Sequence, residues 1–468
     1  MRHSGASSSG PELLVSLRRG AGEPLRAQLE GSLRELIRSG ALAANAVMPP
    51  TRTLASDIGV SRRLVLEAYE QLAAEGYLLA EPRRQTRVAP IGRGTPAPEL
   101  ELEQPQDYPL FDLRPRTSDL SLFPRRQWAK ALARVLREAP DRLLGYPDPQ
   151  GAPALRAALA AYLRRVRGVV ADPARIVICA GFTEALALTT RVLQGEGRAR
   201  IGLEDPGLIG QAEIISAAGG ESHPTPVDEQ GLRVTELERA EVDAVVVTPA
   251  HQFPTGVALP PERRSQLLQW ARSGRLVIED DYDAEFRYDR SAIGALQGLA
   301  PERVLYVGSA SKTLAPALRL GWVVAPARLI EKLVQAKRLQ DKGAPTLDQI
   351  TLAELIHGGV YDRHLRLLRR LLKRRREVLM DELDRVIPEL QITGAAAGLH
   401  VMGTLPSNIS MPKLLANATQ LRLGLAPISR YSLRKPANPR QLVIGYGNIS
   451  DPAIPAVVQL LAQAISDH

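Results

Sequence analysis

Leu25, Leu29, Leu33, Leu36 and Ile37 recur at helical spacing and predict one amphipathic helix, with Gly40 placed to end it. Leu54, Ala55 and Ile58 predict a short second helix, capped by Thr53 and stopped by Gly59. A third stripe, Val65, Ala68, Tyr69 and Leu72, predicts a helix that Ser61 caps and Gly76 ends. Short strands are expected at Tyr77 to Leu79 and Arg87 to Val88, around the turn EPRRQT. The pattern then changes. Ile91 to Pro109 has four prolines, two glycines, several acids and no apolar period, which is a linker composition. Beyond it, the apolar runs Ile176 to Cys179, Ala244 to Val247, Leu276 to Ile278 and Val304 to Val307 alternate with helical stretches. Such runs predict strands buried on both faces, and hence an α/β domain with a largely parallel sheet. The expected divisions are a tail at 1–23, a small helical domain at 24–88, a linker at 89–110 and a large domain at 111–468. No internal repeat of fixed period is evident.

Composition narrows the class. The chain has 468 residues, 44% hydrophobic and 24% charged, enough for more than one packed core. The lone cysteine, Cys179, rules out an intramolecular disulfide and a cysteine-cluster metal site. No run of 18 apolar residues exists, so no membrane span is expected. The opening MRHSGASSSG lacks the apolar core of a signal peptide, and a cytoplasmic location is the expectation. The net charge is +9 and comes mostly from arginine, since only eight of the sixty basic residues are lysines. A basic balance permits an anionic partner. Scarce lysine also means that Schiff-base chemistry must draw on a short roster.

Helix, tight turn, helix and two-stranded ribbon make a winged helix-turn-helix. Ser61, Arg62 and Arg63 open its second helix, where side chains reach base edges and phosphates of the major groove. Arg52 stands beside the preceding helix, and Arg83, Arg84 and Arg87 charge the wing for phosphate contact. The plainer alternative is a small helical domain with a solvated arginine face.

In the large part, candidate chemistry gathers at strand ends, where ligands of parallel sheets bind. Gly181-Phe182-Thr183 opens a helix after the first run and suits an anion. TPAHQFPTG at 248–256 follows the second, where His251 is either a site residue or a solvated loop histidine. Glu279-Asp280-Asp281-Tyr282-Asp283 puts four carboxylates in five positions, which need a cation or hydrogen-bonding partners. No histidine stands near them in sequence and calcium-loop spacing is absent, so no metal is expected. A protonated pyridine nitrogen suits one of these acids better. Lys312, flanked by Ser309 and Ser311 and followed by Arg319, suits a Schiff base beside a phosphate.

Residues 24–88 resemble the DNA-binding domain of the GntR family, through PLRAQLEGSLRELIRSGAL and PPTRTLASDIGVSRRLVLEAYEQLAAEGYL. The wing departs from it, with Glu81 to Arg84 where glycines are usual. Residues 111–468 resemble the fold-type-I aminotransferases, and the whole chain resembles the MocR/GabR group of regulators. The motifs are LLGYPDPQGAPALR, TPAHQFPTG, EDDYDAEFRYD, SASKTLAPALRLGW and VYDRHLRLLRRLLKRRR. The resemblance implies pyridoxal 5'-phosphate, held as an internal aldimine by Lys312. Asp280 would pair with its pyridinium nitrogen and Tyr282 with its O3′. Ser309, Ser311, Arg319 and Gly181-Phe182-Thr183 would form the phosphate cup. Tyr146 would reach the phosphate of a partner subunit, and Arg430 would hold an effector carboxylate. Leu208 stands where an aromatic residue often covers the ring, Ile209 and Gly210 follow where a basic residue is common, and Phe253 replaces an asparagine that donates to O3′. These departures suggest binding more than turnover.

The resulting expectation is a DNA-binding transcriptional regulator that senses pyridoxal phosphate itself, or a small amine or amino acid reacting with it. A working aminotransferase carrying a DNA-binding domain is the alternative, and a pure dimerisation scaffold is a third. The expected partners are a double-stranded DNA operator and a second copy in a homodimer, with the DNA-binding domains swapped between subunits. His223, His357, His364 and His400 read as ordinary surface or core histidines, and Cys179 as inert. Arg369, Arg370 and Arg374 to Arg376 read as a solvated basic helix face, with contact to bent DNA between two half-sites as the alternative.

Overall fold

The computed structural model describes residues 15, 17–20, 22–80, 85–90, 109–115, 118–283, 285–288, 293–394 and 396–466. Arg83, Arg84 and residues 91–108 of the predicted linker lie outside them. The chain forms two compact units, residues 1–107 and 108–468.

The first unit has helices α1 (Leu25–Arg38), α2 (Thr51–Asp57) and α3 (Arg62–Ala74), then strands β1 (Leu78–Leu79) and β2 (Arg87–Val88). Its core takes Leu29, Leu33 and Ile37 from α1, Leu54 and Ala55 from α2, and all four predicted residues of α3. Gly40, Gly59 and Gly76 carry positive φ where the chain leaves each helix. Ser61 caps α3, its Oγ accepting from Leu64 N at 3.2 Å. The predicted Thr53 cap is corrected. Helix α2 begins three residues earlier than that cap implies, at Thr51 after Pro50, and Thr53 lies inside it. Pro49-Pro50 holds the chain extended up to the first turn, and Tyr69 OH donates to Pro49 O at 3.0 Å. The ribbon pairs Leu78 with Val88 and Leu79 with Arg87 in antiparallel register.

The second unit is built on an eight-stranded sheet. Its strands are β3 (Ile176–Cys179), β4 (Arg200–Asp205), β5 (Glu221–Asp228), β6 (Gly231–Leu232), β7 (Ala244–Val247), β8 (Leu276–Asp281), β9 (Val304–Ser309) and β10 (Gly321–Val324). Their order is β3-β10-β9-β8-β7-β4-β5-β6. The run from β9 to β5 is parallel, while β10 lies antiparallel between β9 and β3. All four predicted runs are strands buried along their length. Helices that flank the site are α4 (Pro153–Arg167), α5 (Phe182–Gly195), α6 (Ala327–Asp341) and α7 (Val360–Val386). A smaller module with its own core carries the three-stranded sheet of β11 (Gln391–Thr393), β12 (His400–Thr404) and β13 (Gln441–Gly445). Helix α7 is not the uniformly solvated face expected of its arginines. Arg375 is buried between Asp119 and Asp451, and Arg369 donates to Glu285 O, while Arg370 and Arg374 stay exposed.

Candidate functional site

Strands β3, β8 and β9 end at one cavity of about 250 Å³. Gly181, Phe182, Thr183, Asp280, Tyr282, Ser309, Ser311, Lys312 and Arg319 line it, with Leu208, Phe253, Leu399, His400 and Asn448 among the others. The fold thus brings nine sequence-predicted residues to one wall. Tyr146 is 85% exposed and outside this lining, with Lys342 Nζ over its ring at 4.8 Å. Arg430 sits exposed in a short 3₁₀ turn, Ile428–Tyr431, also outside the lining.

One end of the cavity gathers donors of the kind an anion needs. Gly181, at φ 96°, turns the chain from β3 into α5, whose first-turn N–H groups have no helical acceptor. Arg319 is held in the left-handed region at φ 50°, unusual for a residue with a side chain, and its guanidinium lies close to Gly181. Gly321, two residues on, opens β10 against the same turn. A Cβ there would lie 2.6 Å from Gly181 Cα, so only glycine allows the approach. Glu184 anchors the turn from behind. Its carboxylate accepts from Ala180 N at 2.6 Å and from the buried Lys337 of α6 at 2.8 Å.

The acidic cluster resolves into separate jobs, because alternate residues of a strand face opposite sides. Asp281 pairs with Arg167 of α4, Nε to Oδ2 at 2.7 Å, both side chains essentially dry. Glu279 accepts the backbone N–H groups of Leu296 and Gln297 at 2.9 and 3.0 Å. Asp283 lies 2.8 Å from His251 Nδ1. Asp280 alone faces the cavity alongside Tyr282. Burial, reinforced by Asp281, Asp283 and Glu204, holds its pKa well above the usual carboxylate range. A buried acid so placed suits a partner that brings its own proton and positive charge.

Lys312 follows β9 in a loop tied down on both sides. Ser118 Oγ donates to Lys312 O at 2.7 Å, and His364 Nε2 lies 2.8 Å from Thr313 O. Burial lowers the lysine's pKa, while Asp283 and Asp280 oppose that shift. A larger neutral fraction makes the amine a better nucleophile.

Sequence spacing places no histidine near the acids, and the fold corrects this. His251 is buried beside Asp283, and potential ligand atoms of His251, Asp283 and His400 lie within 4.8 Å of one another. The solvated-loop reading of His251 is excluded by its burial. His400 lines the cavity from β12, and Phe253 sets its ring edge-on to Tyr282, His400 and Tyr431. Sequence reasoning misses His400, since AAAGLHV carries no spacing signal. Only contact across the sheets reveals it.

In the DNA-binding unit, Arg52, Ser61, Arg62 and Arg63 are all exposed around the start of α3. Arg63 reaches Glu67 at 2.8 Å, and Arg87 donates to Asn45 O at 2.9 Å.

Comparison with known proteins agrees with this division. Residues 25–88 match the family described as bacterial regulatory proteins, gntR family, and residues 117–424 match aminotransferase class I and II. The chain is 33% identical over 460 residues to the probable rhizopine catabolism regulatory protein MocR of Rhizobium meliloti, covering 93% of this chain and 92% of that protein. It is 30% identical to the pyridoxine biosynthesis transcriptional regulator PdxR of Corynebacterium glutamicum, covering 94% and 95%. Among solved structures, the α-aminoadipate aminotransferase LysN of Thermus thermophilus, complexed with N-(5'-phosphopyridoxyl)-L-leucine, superposes with a TM-score of 0.68 at 27% identity. That match covers 77% of this chain and 92% of LysN.

Proposed function

Because the chain belongs to the MocR-type transcriptional regulators, a gntR-family DNA-binding domain joined to an aminotransferase class I and II domain, we propose that it holds pyridoxal phosphate at Lys312 and that the state of this pocket sets its binding to DNA. The observation that carries the reading is the single cavity where Lys312, the buried acid Asp280 and the glycine-opened anion turn meet. Pyridoxal phosphate, when bound, supplies an aldehyde that condenses with a primary amine with loss of one water, and a ring that draws electron density from the carbon so joined.

Each residue has a part in holding it. The turn at Gly181-Phe182-Thr183, with Ser309, Ser311 and Arg319, takes the phosphate through backbone N–H, hydroxyl and guanidinium donors. Asp280 holds the proton of the ring nitrogen. Tyr282 meets the ring oxygen, Leu208 covers the ring with apolar surface, and Phe253 stands at the ring edge where a second donor is lost. An amino-compound effector competes with the Lys312 amine for the same carbon, and Arg430 takes its carboxylate. A Lys312 amine freed in this way would differ in charge and packing within the loop that Ser118 and His364 fix. In a homodimer, the exposed Tyr146 completes the phosphate cup of the second copy. The segment at 89–110 joins the domain at 24–88, which reads the operator through Arg52, Ser61, Arg62, Arg63, Arg83 and Arg84, to the large domain at 111–468, and lets it dock on the other subunit. Phe253 at the ring edge favours sensing over turnover.

The test is an absorbance spectrum of the full chain with pyridoxal phosphate, wild type beside Lys312→Ala, followed by operator-DNA titration with and without candidate amines. A visible band in the wild type alone, with DNA affinity that changes when the band shifts, is the expected result. Absence of the band in the wild type refutes the reading. Steady keto-acid formation from an amine at ordinary enzyme rates would instead make the protein a working aminotransferase.

A further inference from the structure

Tyr282 lines the cavity and meets a buried polar pair behind it. Its hydroxyl lies 3.0 Å from His251 Nδ1, which is itself 2.8 Å from Asp283 Oδ2. On another side stands the Phe253 ring, edge-on at 6.1 Å between centroids. His251 and Asp283 are 3% and 2% exposed. Gly398 packs onto the pair so closely that a Cβ there would meet His251 Cε1 at 2.2 Å and Asp283 Oδ2 at 2.6 Å. This is a buried three-member arrangement that cofactor holding alone does not account for.

Proton counting makes it consequential. His251 Nδ1 either carries a proton or accepts one. When Nδ1–H donates to the Asp283 carboxylate, Nδ1 has no lone pair for the phenol, whose 3.0 Å contact is with Nδ1. The Tyr282 proton is then left for whatever lies in the cavity. When His251 is removed, Asp283 becomes the acceptor for the phenol. When Asp283 loses its charge, Nδ1 can do the same. Either loss turns the Tyr282 proton away from the cavity.

We propose that His251 and Asp283 are positioning residues that keep the Tyr282 hydroxyl directed as a donor at the ring oxygen of the cofactor, standing in for the second donor that Phe253 displaces. The inference rests on the pyridoxal phosphate reading above. The other titratable groups around the pair fit it. His400 Nε2 lies 3.1 Å from Pro254 O, and burial together with nearby His251 holds its pKa well below the ordinary value, so it stays neutral. Burial, with Asp283 as the next contribution, pushes the Tyr282 phenol well up, so it keeps its proton. Asp280 and Lys312 face Asp283 from the cavity, and Arg287 shares a small void with His251 and Asp283.

The experiment is a pH titration of the visible absorption band of the lysine-bound cofactor in the full chain. A phenol donating to the ring oxygen stabilises the deprotonated form. Tyr282→Phe, His251→Phe and Asp283→Asn are therefore each expected to move the midpoint up by about one pH unit. His251→Asn, which offers an N–H near the Nδ1 position, is expected to stay near wild type. A midpoint unmoved in His251→Phe and Asp283→Asn, with the band intact, overturns this proposal and leaves cofactor binding standing. No band in the wild type overturns both. Should the variants fail to fold, the nitrogen NMR spectrum of the wild type decides. Protonated Nδ1 and bare Nε2 at His251 are expected, and the opposite tautomer overturns the proposal.

Discussion

Arg63 and Arg167 carry the same guanidinium in opposite settings. The first is 87% exposed at the start of α3 and rests on Glu67. The second is fully buried and bound to Asp281 behind the acid that faces the cavity. The DNA-binding unit puts its cations where water already solvates them and a phosphate can replace that water. The large unit buries cations against matched acids, Arg167 on Asp281 and Arg375 on Asp119 and Asp451, while Asp280 faces the cavity with Lys312 and Arg319. An exposed charge is easily placed and general. A buried one is costly to mismatch and therefore specific.

Several measurements can break or sharpen that contrast. Arg167→Ala leaves Asp281 buried and unpaired, so chemical denaturation of the large unit should show a loss of roughly 3–5 kcal/mol. A loss under about 1 kcal/mol would mean that Asp281 simply takes up a proton or meets water. The next effect is set by pH. Burial pushes Glu204 up to about 7, opposed by hydrogen bonds from Thr248 and Gln252. A raised folded pKa contributes stability that is full below the unfolded value, near 4.5, and is lost as pH rises through about 7. Glu204→Gln should therefore stabilise the protein at about pH 8, by an amount on the order of 1–3 kcal/mol, and change little at about pH 4.5. Equal effects at both pH values would refute the assignment. Ser61→Ala removes the α3 cap and should cost about 1 kcal/mol in the small unit. Arg63→Ala should leave stability essentially unchanged, yet lower the salt dependence of operator binding by about one phosphate contact. An unchanged salt slope would move the DNA-reading face elsewhere.

The two regions also differ in how far the sequence reveals them. Helix α3 is legible because its buried stripe, Val65, Ala68, Tyr69 and Leu72, is periodic and local. The start of α2 is misplaced at Thr53, since a hydroxyl is a familiar cap while the stiffness of Pro49-Pro50 decides the boundary. In the large unit the four apolar runs are strands, and the motif residues around Lys312 and Asp280 converge as expected. What stays hidden depends on pairs far apart in sequence. Arg167 and Asp281 are 114 residues apart, and His251 and Asp283 are 32 apart. Hence EDDYD reads as one crowded acidic site, whereas the pleat of β8 separates Asp280 from Glu279 and Asp281, and the bend after it takes Asp283 to His251. Tyr146 and Arg430 lie outside the cavity lining of a single chain, where spacing carries no information about a second copy.

The contact between Gly321 and Gly181 has a consequence for engineering. The anion turn does not end with the loop after β3, because the entry of β10, much later in the chain, is its back wall. Grafting the glycine turn and Arg319 onto another sheet would reproduce the letters and lose the cup unless an antiparallel strand came with them, entering through a residue without a side chain. The transferable module is a pair of crossing backbones, and a search for such sites in unrelated folds should look for that close approach before it looks for the lysine.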